Sequence, residues 1–244
     1  GNNIVNLTNL SAIREIADKF GFTFSKSLGQ NFLINPSVCP RIAEMGGADE
    51  NTGVIEIGAG FGVLTQELAK RAKKVVAVEL DSRLIPVLQY TLADYDNVKV
   101  INEDVLKVDL PGLIAEEFPG MEVVVCANLP YYITSPIIMA LLEQRLPIKA
   151  VTVMVQKEAG DRLCAPMPSR ECGAVTAAVR YYSEPKVLFP VSRGSFNPAP
   201  NVDSVVIRLD IKGELPLPPE QEKTLFRVVH AAFGQRRKPL PNTL

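Results

Sequence analysis

Short, continuously apolar segments alternate along much of the chain with segments of helical spacing. Residues 64–72 have such spacing, and Asp81 is placed to cap a helix that continues to about residue 93. Apolar runs without alternation indicate strands buried on both faces, and strands separated by helices pair in parallel through right-handed crossovers. We therefore predict a doubly wound α/β sheet, Rossmann-like and mostly parallel. Its five parallel strands are predicted at residues 52–57, 74–80, 98–101, 122–127 and 150–155.

Two later apolar runs suggest a different kind of pairing. Residues 187–190 and 205–209 are close enough in sequence to pair, so we predict an antiparallel strand pair at the end of the sheet. Between the fourth and fifth strands, Ser135-Pro136 has the signature of a helix start, with serine at the cap and proline in the first turn.

The end of the chain departs from the strand and helix alternation. Residues 213–219 (GELPLPP) predict a linker, and residues 220–233 have the pattern of an amphipathic helix. We therefore expect one α/β domain over residues 1–212. Residues 213–244 are expected to contain the linker and the first helix of a small helical domain.

Composition narrows the class of protein. The 244 residues are 47% hydrophobic and 22% charged, which is typical of a globular chain with one full core. No apolar run approaches the ~18–20 residues of a membrane-spanning helix. The first eleven residues lack the charged and apolar regions of a signal peptide, so we expect a cytoplasmic protein with no membrane partner.

Four cysteines and a single histidine limit the available chemistry. No two cysteines have the close spacing of a zinc site, and a disulfide framework would be denser, so we expect reduced, mostly buried thiols. With only one histidine, His230, most histidine-based metal sites and catalytic triads are excluded, and we expect this residue on a helix face. No metal site is predicted.

The net charge of −1 provides no global attraction to nucleic acid, but basic residues are unevenly distributed. Residues 145–200 contain eight basic and four acidic side chains, an excess of four positive charges. Residues 227–238 add four basic side chains and no acid. Because charge runs usually form a solvated face, this pattern alone only weakly favours an RNA partner.

The first predicted strand ends in a glycine-rich turn that includes Gly58, Gly60 and Gly62. Glycines at this edge of a doubly wound sheet allow the backbone to approach a ligand closely. The dinucleotide pattern G-x-G-x-x-G is not met, because the third glycine comes one residue early, and this favours a ligand without phosphates. Taken alone, the motif is equally compatible with a tight turn.

Two acidic residues follow the next two strands. A carboxylate at Glu79 can accept hydrogen bonds from both hydroxyls of a ribose, and Asp104 can accept one from an adenine amino group. Either acid alone is more often a helix cap or a surface group. Together with the glycine turn they predict a nucleoside pocket without a phosphate partner, as S-adenosylmethionine requires.

The tetrapeptide Asn128-Leu129-Pro130-Tyr131 directly follows the fourth strand. An adenine amino group is a poor nucleophile because its lone pair is delocalised into the ring. The Asn128 side-chain carbonyl and the Leu129 main-chain carbonyl, which Pro130 would turn inward, can each accept one N–H and orient that lone pair toward a methyl donor. Tyr131 offers a ring for base stacking. The alternative is a turn with a core tyrosine.

A second aromatic residue lies in Phe196-Asn197-Pro198-Ala199-Pro200. The prolines stiffen this loop and present Phe196. We predict that its ring forms a second wall, opposite Tyr131, for an adenine extruded from its helix. A core residue at the base of the loop is the competing interpretation.

These motifs resemble those of the ribosomal RNA adenine N6,N6-dimethyltransferase family, of the small-subunit methyltransferase A type. The matching blocks occur in family order and cover nearly the whole chain. They are SLGQNFL (27–33), VIEIGAGFGVLT (54–65), VELD (78–81), EDVL (103–106), NLPYYITSPII (128–138), VQKEAGDRL (155–163), FNPAPNVDSVV (196–206) and GQRRK (234–238).

The resemblance implies an activity and a role for each motif. It implies methyl transfer from S-adenosylmethionine, without a metal, to two adjacent adenines near the 3′ end of small-subunit ribosomal RNA in an immature 30S particle. Each adenine would receive two methyl groups, and a monomer is expected. The resemblance places Asn128, Leu129, Pro130, Tyr131 and Phe196 at the target base, and Asn31, Leu33, Gly58, Gly60, Glu79, Asp104, Val105 and Asn128 at the cofactor.

The chain departs from the family pattern at three places. Cys172 stands where the family usually has tyrosine, and Ala59 where it commonly has proline. Two prolines in residues 239–244 would interrupt a helix where the family continues into a helical domain, which implies that this domain is largely missing.

Four other functions remain to be compared. A large-subunit ribosomal RNA adenine methyltransferase of the macrolide-resistance type would use the same chemistry, and an RNA-binding ribosome assembly factor would make catalysis secondary. A nicotinamide oxidoreductase is disfavoured by the glycine spacing. A DNA adenine methyltransferase is disfavoured by Leu129, where those enzymes commonly have proline.

Overall fold

The computed structural model describes residues 4–22, 31–166, 173–225 and 227. Within these ranges the chain alternates between helices and strands, as the apolar pattern predicts. In chain order the elements are α1 (Leu10–Lys19), β1 (Phe32–Leu33), α2 (Val38–Met45), β2 (Thr52–Ile57), α3 (Val63–Arg71), β3 (Lys74–Val78), α4 (Ile85–Thr91), β4 (Val98–Ile101), α5 (Leu110–Glu117), β5 (Glu122–Asn128), α6 (Tyr131–Glu143), β6 (Ala150–Gln156), α7 (Lys157–Leu163), α8 (Ala174–Tyr182), β7 (Ser183–Val191), β8 (Phe196–Asn197) and β9 (Ser204–Ile211).

Seven strands form the main sheet in the order β4-β3-β2-β5-β6-β9-β7. The five apolar runs predicted as parallel strands are the five parallel strands of this sheet, which confirms the α/β prediction. The last two runs also pair antiparallel, as predicted. The pattern did not predict that β9 inserts between β6 and β7 and is antiparallel to both of them.

Helices cover both faces of the sheet, and successive residues of a central strand alternate between the two cores. Ile55 of β2 and Val125 of β5 belong to the core beneath α5, α6 and α8. Val54 and Val124 belong to the opposite core, beneath α2 and α3. Burial on both faces explains why these strands are continuously apolar.

The start of α6 corrects one prediction. The helix begins at Tyr131, with Pro130 as its N-cap, and Pro136 lies inside it rather than at its first turn. Proline in a helix interior removes one backbone hydrogen bond. The helix is stabilised after this defect by the burial of Ile137, Ile138 and the apolar residues that follow, and before it by the hydrogen bond from Thr134 to the Pro130 carbonyl. A local start signal does not contain these tertiary contributions.

The N-terminal segment packs against the glycine-rich turn. Ile13 and Ile16 of α1 share a core cluster with Phe61 of that turn and with Leu84 and Val87 beside α4. The short strands β1 and β8 form a separate antiparallel pair in which Leu33 lies opposite Phe196. The tertiary fold therefore brings the QNFL and FNPAP motifs together.

The predicted linker is followed by a helix that starts at residue 219, one residue before the predicted start. Glu222 of this helix is buried, forms an ion pair with Arg145 and accepts a 2.6 Å hydrogen bond from Tyr182. These contacts attach the start of the helix to α6 and α8. The remainder of the predicted helix, including His230, lies outside the described residues, so the division at residue 212 stays a prediction.

The cysteines that the structure describes match the sequence-based expectation. Cys39 and Cys126 are free and buried, and Cys164 is free and half-buried. Burial raises the pKa of each of these thiols. Cys172 lies outside the described residues. Among the described helices, none is both long enough and apolar enough to span a bilayer.

Candidate functional site

The candidate motifs lie side by side at the carboxyl edge of the sheet. The neighbouring strands β4, β3, β2 and β5 are followed, in that spatial order, by Asp104, Glu79, the glycine-rich turn and the Asn128 motif. The chain runs outward in opposite directions from β2 and β5, so the crevice of this doubly wound sheet lies between these two strands. The sequence motifs thus converge where such folds bind their ligands.

The glycine-rich turn requires glycine for its backbone conformation. Gly58, Gly60 and Gly62 have φ values of 77°, 59° and 99°, in the left-handed region that other residues rarely adopt. A Cβ added at Gly58 would lie 3.6 Å from the Leu129 side chain and 3.8 Å from the Asn128 carbonyl oxygen. The turn therefore lies against the Asn128 motif.

Glu79 stabilises the turn from the end of β3. Its carboxylate is 6% exposed; one oxygen accepts a 2.9 Å hydrogen bond from the Gly60 amide, and the other a 2.9 Å bond from the Asp81 amide. Two carboxylate oxygens offer about four acceptor positions, so each can accept a further donor. The ribose-binding prediction remains compatible with this geometry, but the role of Glu79 in fixing Gly60 was missed.

Asp104 combines a capping contact with a position at the rim of the crevice. It is half-buried, and one of its oxygens accepts a 3.0 Å hydrogen bond from the Leu106 amide. Leu80 and Leu106, which closely follow the two acids, are 66% and 52% exposed. Both side chains are therefore exposed to solvent close to the two acids, where they can contact an apolar face of a ligand. No sequence motif assigns a role to either leucine.

The Asn128 motif joins β5 to α6. The Asn128 side chain forms no hydrogen bond with any residue that the structure describes, whereas Leu129 is buried. The Pro130 carbonyl accepts from the Thr134 hydroxyl at 3.1 Å, which anchors the first turn of the helix. The Tyr131 hydroxyl lies 2.7 Å from the Ser204 hydroxyl, and its ring is 36% exposed. The motif therefore combines an Asn128 amide that has no hydrogen-bond partner among the described residues with a Tyr131 ring whose hydroxyl is fixed by Ser204.

The other predicted site residues differ in how far they are exposed. Phe196 is 6% exposed and packs in the core beneath α2 and α3, together with Leu33. In this structure Phe196 is therefore a core residue, as the competing interpretation predicts. The stacking role of Phe196 stays a prediction. Asn31 is exposed, and Val105 is half-buried beside Asp104.

Glu56 is a buried acid whose role the sequence analysis did not assign. It lies in β2 at 1% exposure and accepts a hydrogen bond from the Thr65 hydroxyl. Burial raises the pKa of Glu56 to about 8, and the nearby charge of Glu79 acts in the same direction. Because the Glu56 side chain keeps its proton, it is neutral, and the sheet core next to the crevice contains no unpaired buried charge at this position.

Replacement of Glu56 by glutamine is expected to change how stability depends on pH. Folded Glu56 keeps its proton up to about pH 8, whereas the unfolded residue releases it near pH 4.5. Its contribution to the free energy of unfolding is therefore complete below pH 4.5 and is lost as the pH rises toward 8. Between pH 5.5 and 8, wild type should lose on the order of 2 kcal/mol more than Glu56→Gln.

Urea denaturation of both proteins at pH 5.5 and 8 measures this difference. The glutamine is neutral throughout and can still accept from Thr65, so its profile reports the rest of the protein. Parallel profiles of wild type and variant would mean that folded Glu56 is ionised at neutral pH, contrary to the prediction.

In the folded protein, several basic side chains of residues 145–200, the basic segment, are paired with acidic side chains or backbone carbonyls. Arg180 donates to the carbonyls of Cys164 and Ala165. Arg162 and Arg193 form no ion pair with the described part of the chain. The segment's ion pairs join Arg145 to Glu222, Lys149 to Glu122, Lys157 to Asp161 and Lys186 to Asp210. The excess positive charge counted along the sequence therefore overstates the positive potential of the folded surface.

An open cleft of about 480 Å³ lies beside the acceptor motif. The Lys157 amide donates to the Asp203 carbonyl at 3.0 Å, and the Arg193 amide donates to the Asp203 carboxylate at 2.8 Å. Asp203 directly precedes Ser204, the partner of Tyr131. The cleft is lined by Lys157, Glu158, Asp161, Arg193, Asn201, Val202 and Asp203. Within the described ranges, no three acidic, cysteine or histidine side chains come together as metal ligands.

Comparison with known proteins places this site in a family. The model of the family described as ribosomal RNA adenine dimethylase matches residues 21–244. The chain is 53% identical over 232 residues to ribosomal RNA small subunit methyltransferase A of Geobacillus thermodenitrificans, covering 95% of this chain and 79% of that protein. The corresponding protein of Bacillus licheniformis is 52% identical over 232 residues, covering 95% and 80%.

Solved structures of two related enzymes share the fold. A dimethyladenosine transferase from Plasmodium falciparum is 30% identical with a TM-score of 0.65, covering 84% of this chain and 72% of that one. The 23S rRNA methyltransferase ErmE is 28% identical with a TM-score of 0.67, covering 86% and 85%. Together with the family model and the close relatives, these matches establish that this chain belongs to the ribosomal RNA adenine dimethylase family.

Proposed function

We propose that this protein transfers methyl groups from S-adenosylmethionine to N6 of two adjacent adenines near the 3′ end of small-subunit ribosomal RNA. The observation that carries the proposal is the contact between the glycine-rich turn at Gly58 and the Asn128 motif at the crevice of the sheet. Small-subunit RNA is preferred over large-subunit RNA because the close relatives at about half identity are small-subunit methyltransferases.

The cofactor occupies the half of the crevice formed by β2, β3 and β4. Glu79 accepts from the ribose hydroxyls while it still holds the Gly60 and Asp81 amides. Leu80 and Leu106, both exposed, flank the adenine ring, and Asp104 accepts from its amino group. Gly58, Gly60, Val105, Asn31 and Leu33 complete the cofactor side.

The acceptor adenine occupies the half of the crevice next to β5. S-adenosylmethionine supplies an electrophilic methyl group on a sulfonium. The Asn128 carbonyl and the Leu129 main-chain carbonyl accept the two N6–H bonds, and Tyr131 stacks on the base. Pro130 fixes the backbone between them. The arrangement orients the nitrogen lone pair, and orientation is the main requirement of a displacement at a methyl carbon.

The chemical step needs no strong base. The N6 lone pair forms a bond to the methyl carbon as the carbon–sulfur bond breaks, and the sulfonium becomes the neutral thioether of S-adenosylhomocysteine. The proton of the cationic amine product passes to water. Water suffices as acceptor because this proton is acidic, which accounts for a site built from an amide, a carbonyl and a phenol.

The second methylation requires space around a nitrogen that already carries one methyl group. Asn128 forms no hydrogen bond with a described residue, so its amide can adjust to the single remaining N–H. Phe196 can take the predicted stacking role only if its ring leaves the core that it fills in this structure. We therefore assign the stacking of the target base to Tyr131.

The wider setting is part of the same proposal. The substrate is the immature 30S particle, the protein acts as a monomer, and its location is the cytoplasm. Arg193, which lines the cleft and lacks an acidic partner for its side chain among the described residues, is available to an RNA phosphate there.

Tritium-labelled S-adenosylmethionine provides the test. The protein is incubated with immature 30S particles from cells that lack this modification, with 23S ribosomal RNA and with duplex DNA in parallel. Digestion of each nucleic acid should yield labelled N6,N6-dimethyladenosine from the 30S particles alone. Label in 23S RNA would transfer the assignment to the large subunit. Cofactor binding without label in any substrate would favour an assembly role.

A further inference from the structure

One aromatic side chain next to the Asn128 motif projects into solvent without a polar or ring partner. Tyr132 is 83% exposed, more than any other large apolar side chain in the described part of the protein. It forms no hydrogen bond, ring contact or ion pair with another described residue. A side chain that is large, rigid and only weakly polar is suited to binding a partner, since little conformational entropy is lost when its ring is covered.

The other tyrosines differ from Tyr132 in this respect. Tyr90 packs its ring 5.7 Å from that of Phe20, with the Lys19 ammonium 3.8 Å above it. The rings of Tyr181 and Tyr182 lie 5.0 Å apart. Tyr131 is held by Ser204, and the hydroxyl of Tyr95 is buried. Exposure without a partner is therefore specific to the tyrosine that lies beside the site.

The position of Tyr132 separates its ring from that of Tyr131. Both residues lie in the first turn of α6, and successive helix residues project about 100° apart. Because the Tyr131 hydroxyl is tied to Ser204 at the start of β9, the Tyr132 side chain projects away from that contact. Tyr132 is therefore exposed one residue beyond the Asn128 motif, on a different face of α6 from Tyr131.

The N-terminus of α6 supplies positive potential beside Tyr132. The positive end of the dipole of α6, a helix of 13 residues, lies at Tyr131 and Tyr132. The neighbouring cleft adds no net positive charge, because its two bases, Lys157 and Arg193, are outnumbered by Glu158, Asp161 and Asp203. An exposed aromatic ring at a helix N-terminus is suited to stacking a base whose phosphate lies nearby.

We propose that Tyr132 is a second stacking platform, which binds the unpaired base adjacent to the adenine being methylated. The inference rests on the proposed function and extends it from one extruded base to a dinucleotide. Tyr131 stacks the reacting adenine, and Tyr132 holds its neighbour outside the pocket. The pair thus recognises two consecutive unstacked bases, which a duplex does not offer.

The first test measures RNA binding by the protein without turnover. A synthetic RNA hairpin carries 2-aminopurine, whose fluorescence falls when it stacks, at the position next to the target adenine. Tyr132→Ala should raise the Kd about 5- to 100-fold, the range that base–aromatic stacking implies, and should abolish the quenching that the protein causes. Tyr132→Phe keeps the ring and should behave as wild type.

Tyr90→Ala is the matched control, because it removes a partly exposed tyrosine from a different surface. It should leave both the Kd and the quenching unchanged. Unchanged binding by Tyr132→Ala, or a phenylalanine variant that behaves like alanine, would overturn the inference. Tyr132 is so exposed that its replacement should not affect folding, which circular dichroism verifies.

Methylation kinetics with immature 30S particles distinguish this inference from the proposed function. Tyr132→Ala should raise KM for the particle and leave kcat near that of wild type, because Tyr132 does not touch the reacting atoms. Absence of methylation by wild type would refute the proposed function, while the binding data would still decide the inference about Tyr132. A fall in kcat at unchanged KM would contradict a stacking role.

Discussion

Replacement of Asn128 by alanine should reduce the rate of methyl transfer by about 10²–10³-fold at saturating substrates, the usual cost of removing one preorganised polar contact to a transition state. The Asn128 amide makes no hydrogen bond with described residues that would hold it for a structural purpose. Its loss removes the acceptor that orients the adenine N6 lone pair. Cofactor affinity should change far less, because most of the predicted cofactor contacts lie on β2, β3 and β4.

Single-turnover methylation and calorimetric titration with S-adenosylmethionine separate these two effects. Asn51→Ala is a suitable control, since Asn51 is exposed at the opposite end of β2. It should retain full activity. If Asn128→Ala lost cofactor binding as completely as activity, Asn128 would belong chiefly to the cofactor site and the assigned acceptor role would be wrong.

Replacement of Glu79 by alanine should weaken S-adenosylmethionine binding by about 10- to 100-fold, corresponding to the loss of one or two charge-assisted hydrogen bonds. Two effects add in this variant. The ribose loses its acceptor, and the half-buried amides of Gly60 and Asp81 lose the carboxylate that holds them. The turn at Gly60 is therefore expected to lose its fixed geometry.

Glu79→Gln distinguishes the two contributions. Glutamine retains one oxygen but would direct its amide group at a backbone N–H, so its affinity should lie between those of wild type and Glu79→Ala. Glu122→Ala removes an exposed acid at the other end of β5 and should bind the cofactor normally. Wild-type affinity in Glu79→Ala, measured by calorimetry, would remove Glu79 from the cofactor site.

The sequence predicted the sheet well because its strands are buried on both faces. The apolar runs at β2 and β4 have the same bounds in the structure as in the prediction. The start of α6 was wrong because Ser135-Pro136 is a local signal, whereas the helix is stabilised by apolar side chains buried after Pro136 and begins one turn before it. The position of β9 was not predicted, since strand order depends on contacts distant in sequence.

The predicted site residues divide in the same way. The glycine turn, Glu79, Asp104 and the Asn128 motif each follow a strand of the predicted sheet, so topology alone brings them to one edge. Phe196 was assigned to the target base, but in this structure its ring lies in the core opposite Leu33. No sequence pattern distinguishes an aromatic ring that faces a ligand from one that fills a core.

The sequence by itself determined the fold class, the order of the motifs and the cofactor and acceptor chemistry, because these depend on local composition and on the ends of strands. Only the tertiary structure decided the raised pKa of Glu56, the pairing of basic side chains in residues 145–200 with acids outside that segment, and the isolation of Tyr132. Each of these depends on which groups from distant parts of the chain surround a side chain. Burial and electrostatic interaction act through space, and the linear pattern does not contain those distances.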